Sequence, residues 1–294
     1  MEDNLDIRQI NQNDPDFPKS LKEIPSSPES IYIRGNFSSP EKAIAIVGTR
    51  KSSPEGEKVA GTMAFELAKR GMVIVSGLAF GIDSAAHQGA LEAGGTTWAV
   101  LGGGIDKVYP TSNKNLADKI IQGGGCLISE YPPGTESLAY QFILRNRLIS
   151  GISQAVVVIE APQKSGALAT ARFAFKQKRK VMAVPGSCSS FRFAGSNQLI
   201  REGAILVRNA ADVLEELGEK KDAQEKIKLV DLNENQKKIF EIVKEKEGLD
   251  VDNIGQLTKL SPQEVGAQLM ELVMKEIIEE TGTGKYIISQ KLKV

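Results

Sequence analysis

From residue 43 onward, short apolar runs rich in β-branched residues alternate with helix-forming stretches. The apolar runs fall at 43–47, 72–75, 97–101, 126–129, 155–159, 181–184 and 204–207. Between most of them lie stretches patterned as helices, at 55–69, 84–93, 113–122, 138–150 and 167–178. Nearly continuous apolar strands that alternate with helices are buried on both faces. They predict an α/β fold with a mostly parallel, doubly wound sheet. Gly71, Gly95, Gly123 and Gly203 each precede a strand, where a helix C-cap glycine belongs. Right-handed crossovers then place the ligand crevice at the carboxyl ends of the strands.

Ahead of this pattern, residues 1–40 are polar and rich in Pro and Ser, with one β-like run at 31–33. They are expected to form an irregular lead-in that packs on the main domain at 41–217. Residues 211–228 turn highly charged and predict a last short helix followed by an exposed linker at 218–229. The remainder, 230–294, predicts a separate small domain with helices at 236–246, 252–258 and 261–279. Ser261 is placed to cap a helix that has Pro262 in its first turn. The run Tyr286-Ile287-Ile288 after Gly282 and Gly284 predicts a β-hairpin, which makes the whole a winged helix.

Composition adds limits. With 41% hydrophobic and 25% charged residues the chain is globular, and its formal net charge of zero gives no overall pull toward DNA. Any nucleic-acid site must come from local clustering. Cys126 and Cys188 lie far apart and in no metal-ligand spacing, so neither a zinc site nor a disulfide framework is expected. His87 is the sole histidine, which excludes a two-histidine metal site. No apolar run approaches a membrane span and no signal peptide is read, so a cytoplasmic location is expected.

Four segments carry candidate chemistry. Gly48-Thr49-Arg50 follows the first strand, where glycine permits close approach and arginine offers a fork of donors for phosphate. By itself this is equally a tight turn with a surface arginine. Ser76, Gly77 and Gly81 belong to a strand-to-helix junction that exposes N–H groups at a helix's positive end. Asp83 and His87 lie one turn apart on the following helix and are read as a structural pair that holds this loop. Phe142, Arg145, Asn146 and Arg147 combine a stacking face with phosphate forks, the needs of a single strand. At least one of the two arginines is expected to be a structural ion-pair partner. The last junction holds Ser165, Gly166 and Thr170. From 163 to 180 there are six basic residues, Lys176 among them, and no acidic one. Such a run is usually a solvated helix face, but here it follows a strand's carboxyl end, where it could track phosphates.

Together these segments resemble the DNA-processing protein A family, also called Smf. The stretches that carry the resemblance are AIAIVGTR, IVSGLAFGIDSAAHQGAL, GGGIDKVYP, LISEYPPG, FILRNRLISGIS, VVVIEAPQKSGALATARFA, VMAVPG and SNQLIREGA, in the family's order over about 21–207. The resemblance implies an extended Rossmann-like domain that binds single-stranded DNA, forms a homodimer and loads the recombinase RecA during natural transformation. It implies no catalysis, cofactor or metal. It assigns DNA contacts to Gly48, Thr49, Arg50, Ser76, Gly77, Gly81, Phe142, Arg145, Asn146, Arg147, Ser165, Gly166 and Thr170, and more weakly to Lys176. The SAM-like domain of many members is not expected, since about forty residues precede the first regular strand. Ile143 stands where the family usually has Pro, and Lys176-Gln177-Lys178-Arg179 replaces a usual Glu-Gln-Gly-Arg. Residues 230–294 hold nine Lys against twelve Asp plus Glu, a net of −3, which favours a protein contact over duplex binding. The alternative is a nucleotide hydrolase of the lysine-decarboxylase-like (LOG) group. That group carries its catalytic glutamate on the helix after a glycine loop. Here 161–172 has no glutamate, and Glu160 precedes the loop.

Overall fold

The computed structural model describes residues 6–38, 42–219, 232–246, 248–275, 277–282 and 284–289. The chain divides between Val213 and Leu214 into two compact units. This division falls inside the last helix of the first unit, short of the expected 217. The linker expected at 218–229 lies, beyond Glu219, outside the described residues.

The first unit begins with β1 (Ile7–Asn11), α1 (Lys19–Lys22) and β2 (Ser30–Gly35). The alternating series follows: β3 (Ala43–Val47), α2 (Pro54–Lys69), β4 (Val73–Ser76), α3 (Ile82–Glu92), β5 (Thr97–Val100), α4 (Lys114–Gln122) and β6 (Cys126–Ser129). It continues with α5 (Ala139–Ile152), β7 (Ala155–Val158), α6 (Ala167–Lys176), β8 (Lys180–Ala183), α7 (Ala194–Arg201), β9 (Ile205–Leu206) and α8 (Ala210–Glu216). The nine strands form one sheet in the order β1-β2-β6-β5-β4-β3-β7-β8-β9. All pairings from β6 to β9 are parallel, whereas β1–β2 and β2–β6 are antiparallel.

The lead-in is therefore more ordered than its polar sequence suggests. It extends the sheet, and it sends Phe17, Leu21, Ile31 and Ile33 into the main core. Strand β1 escapes the alternation rule because only Ile10 of its five residues is buried, as suits an edge strand. Strand β3 sits at the centre, and all five of its residues are buried. Side chains alternate between two layers. Ala45, Val47, Val156 and Val158 share a cluster with Leu148 and Ile149 of α5, while Ala99 and Leu127 meet Leu116 and Ile120 of α4.

Chain order reverses at β3, which has β4 on one side and β7 on the other. The loops after β3 and β7 therefore diverge, and a crevice opens between them at the carboxyl edge. Two of the four expected cap glycines, Gly71 and Gly203, have positive φ. At the other two places the neighbouring Gly94 and Gly124 take the left-handed turn instead.

Among its described residues the second unit has the helices Glu234–Glu245, Val251–Thr258 and Pro262–Met274 and an antiparallel pair of strands, Ile278–Thr281 and Lys285–Ile288. Ile239, Phe240, Val243, Ile254, Val265, Leu269 and Leu272 form its core. The third helix does not run to 279 as its apolar pattern suggested. It ends at Met274, and Ile278 already faces the core from the first strand. The cap at Ser261 is present: its Oγ accepts from Glu264 N at 3.3 Å.

Candidate nucleic-acid interface

Four chain segments meet at the carboxyl edge of the sheet around a cleft of about 700 Å³. The first follows β3. Thr49 N donates to the Glu160 carbonyl at 2.7 Å and so ties this loop to the one after β7. Gly48 has no room for a side chain, since a Cβ there would lie 2.5 Å from Ile82. Arg50 projects into solvent at the cleft, with its guanidinium 5.8 Å from the centre of the Phe142 ring. That ring in turn packs at 5.2 Å against Tyr109. A cation and two rings thus form one continuous tier.

The second segment joins β4 to α3. Asp83 is buried and accepts from Gly77 N at 3.1 Å and Ala79 N at 3.4 Å. Arg145 is buried behind it. Its Nη1 donates to the Gly77 carbonyl at 2.8 Å and to the Val100 carbonyl, and its Nε donates to Asn146 Oδ1 at 3.2 Å. Burial holds the Asp83 carboxyl above its ordinary range, against the opposing charge of Arg145. Burial lowers Arg145 to about 10; Asp83 opposes that shift and Arg50 adds to it. Gly77 is required here, since a Cβ would lie 2.7 Å from an Arg145 nitrogen.

The third segment is α5, which presents Phe142, Arg145, Asn146 and Ile149 along one face. Asn146 Nδ2 reaches the Gly166 carbonyl at 3.3 Å. The fourth is the loop from β7 to α6. Lys164, Ser165 and Gly166 line the cleft where α6 begins, so first-turn N–H groups add positive potential. The cleft walls carry Arg50, Lys164 and the Arg145–Asp83 pair, which leaves a net positive lining with an aromatic face.

The cleft brings together Gly48, Thr49, Arg50, Phe142, Arg145, Asn146, Ser165, Gly166 and Thr170, with Asp83 at its floor. Gly77 lines a small recess beside it. The remaining candidates stand elsewhere. Ser76 is buried and donates to the Ile46 carbonyl at 2.7 Å. Gly81 shapes its loop at φ 71°, with no room for a Cβ, which would lie 2.6 Å from the Thr49 carbonyl oxygen. Arg147 is the structural arginine, paired with Glu130 at 2.5 Å away from the cleft lining. Lys176 is exposed in the last turn of α6, roughly 13 Å along the helix from the end that meets the cleft.

Asp83 and His87 do not bond to each other among the described residues. Of the two, Asp83 bonds the loop and His87 does not. Thr97 Oγ1 spends its single proton on the Ile74 carbonyl at 2.7 Å. His87 Nδ1 therefore carries the proton that joins it to Thr97, at 2.7 Å. Burial pushes His87 down from 6.5 to about 3. Its folded value is depressed, so the unfolded chain takes up the proton first and stability falls as pH drops from about 6.5 toward 3. At pH 5 this amounts to about 2 kcal/mol. In His87→Gln that component is expected to vanish, so the stability gap to wild type narrows between pH 7 and pH 5. A gap of constant size in urea titrations would contradict a neutral buried imidazole.

Sequence reasoning overlooked Tyr109 and Ser137, which also line the cleft, and took Ile143, another lining residue, only as a departure from the family's usual Pro. Their signal was position alone, in or just after the long loops that follow β5 and β6. It also overlooked Arg192, whose Nη1 donates to the Lys51 carbonyl at 2.8 Å and to Glu160 Oε1 at 3.3 Å. Glu160 is fully buried and accepts from Ser53 Oγ at 2.7 Å and from Ser53 N at 3.1 Å. This carboxylate clamps the Arg50 loop, in contrast to the free catalytic glutamate that the hydrolase alternative needs.

Residues 8–218 match the model of the family described as DNA recombination-mediator protein A. Protein Smf of Escherichia coli is 40% identical over 202 residues, which cover 68% of this chain and 54% of that protein. The chain thus spans about half the length of that relative. Among solved structures, DNA processing protein A from Streptococcus pneumoniae superposes with a TM-score of 0.67 at 40% identity, covering 72% of this chain and 74% of that one. DNA processing protein A from Helicobacter pylori, a structure described for its single-stranded DNA binding mode, gives 0.66 at 30% identity, covering 74% and 98%.

Proposed function

The chain belongs to the DNA recombination-mediator protein A family, and from that premise we propose that it binds single-stranded DNA in the cleft at the carboxyl edge of the sheet. The observation that carries this reading is the Arg50–Phe142–Tyr109 tier beside Lys164 and the start of α6. Phosphate forks and a helix N-terminus stand next to aromatic faces, and an unpaired strand offers both phosphates and open base faces. A duplex keeps its base faces stacked and would engage only the charges. The role is to hold incoming single strands and pass them to RecA during transformation, as a homodimer in the cytoplasm, without catalysis. Among the described residues no helix is long and apolar enough to cross a membrane.

The test is fluorescence anisotropy with one labelled oligonucleotide, single-stranded and then annealed. Tighter binding of the single strand is the expected result, and equal or tighter duplex binding would refute the reading. RecA filament formation on strands coated with a single-strand-binding protein tests the loading role.

The Glu160–Arg192 clamp gives a second expected result. Arg192→Ala frees the Lys51 carbonyl and loosens the loop that aims Arg50. Single-strand affinity is expected to fall about threefold to tenfold as preorganisation of the loop is reduced. Arg192→Lys should restore part of it. Unchanged affinity would show that Arg50 needs no such support.

A further inference from the structure

We infer that Phe80 and Tyr109 form a seat for one unpaired base at the mouth of the phosphate cleft, an assignment that rests on the single-strand reading above. Phe80 is 50% exposed and Tyr109 55% exposed. Between them lies a recess of about 60 Å³, closed by Pro110, Phe142 and Arg50. That is room for one face or edge of a base rather than for a whole one.

The loop around Phe80 is built to keep the ring outside. Leu78 stands at φ 57° and Gly81 at φ 71°, two left-handed residues that bracket it. Leucine carries a steric cost in that region, so the surrounding bonds must hold it there. They are numerous. Asp83 accepts from Gly77 N and Ala79 N. Asn113 Nδ2 donates to the Leu78 carbonyl at 2.9 Å, and Ser84 Oγ donates to the Ala79 carbonyl at 2.6 Å. The Leu78 side chain is fully buried while its neighbour Phe80 is turned to solvent. A loop that only closed the fold would bury the larger apolar ring. This one fixes it in water beside a second exposed ring and an arginine.

An exposed aromatic held rigidly gains by stacking and has little conformational freedom left to lose. Tyr109 already packs on Phe142, which itself faces Arg50. A base seated against Phe80 and Tyr109 would continue that tier outward. Its own phosphate would then fall toward Arg50. The seat reads the face of a base and so favours unpaired strands with little choice of sequence.

The test compares wild type with Phe80→Leu/Tyr109→Leu, using a labelled oligothymidylate and an abasic strand of equal length. Both residues lie at the surface, and leucine keeps apolar volume there. The double variant is expected to bind oligothymidylate roughly 10- to 100-fold more weakly. Its salt dependence should be unchanged, because every phosphate partner is still in place. On the abasic strand variant and wild type should bind alike. Phe80→Trp in the Tyr109 wild-type background should keep full affinity, with tryptophan emission quenched by the bound strand. If the double variant binds oligothymidylate as wild type does, or weakens equally on the abasic strand, the seat is overturned while the cleft stands. If wild type binds neither strand, both fall together.

Discussion

Arg145→Met is expected to destabilise the first unit by about 3–5 kcal/mol, the usual cost of leaving a buried charge without the opposite charge that compensates it. Arg145 is only 4% exposed, and its guanidinium serves the carbonyls of Gly77 and Val100 while it faces the buried Asp83. Methionine fills much of the volume but takes the guanidinium donor from the Gly77 and Val100 carbonyls and leaves the buried Asp83 without its opposing charge. The sign of the pH dependence follows. Asp83 is already raised by burial, and without Arg145 it rises further. A carboxyl whose folded value is raised favours the folded state at low pH, and that contribution is lost as pH climbs through the folded value. The variant should therefore lose least in acid and most at neutral pH. Urea titrations at pH 5 and pH 7.5 check this. A loss below about 1 kcal/mol at both would show that Arg145 is a surface residue, free to bind phosphate.

Arg50→Glu should have the largest effect on binding with almost none on folding. The side chain is exposed, and its one described partner is the face of Phe142. Removing a charge-assisted hydrogen bond costs about 1.5–3 kcal/mol, and the reversed charge adds repulsion of phosphate. Single-strand affinity near 0.1 M salt should fall by at least ~30-fold. The melting temperature should hold. Binding within threefold of wild type would remove Arg50 from the interface.

The strands and the edge that carries the site were legible because they follow from local pattern. Runs such as 43–47 and 126–129 are apolar throughout, and a parallel sheet buries both faces of a strand. Strand β1 and helix α7 were not legible. The first has one buried residue of five, and the second is a short helix with a polar opening. At the site, position after a strand sufficed for Arg50 and Gly166. It could not tell Arg145 from Arg147. Both are nearly buried, and only the tertiary arrangement sets one against Asp83 in the cleft and the other against Glu130 outside it. Lys176 stands apart from the cleft lining for a simpler reason. Its charge run lies along α6, and a helix carries its later residues away from the edge where it starts. The rings of Phe80 and Tyr109 sit on loops whose direction no periodicity encodes.

The most direct measurement is the salt dependence of single-strand binding for wild type, Arg50→Ala and Lys176→Ala. Each phosphate left without its cationic partner should lower the slope of log affinity against log salt by about 0.7. Arg50→Ala is expected to show that decrease along with weaker binding, and Lys176→Ala to match wild type. An unchanged slope in Arg50→Ala, with the decrease in Lys176→Ala instead, would contradict the cleft as the path of the DNA backbone.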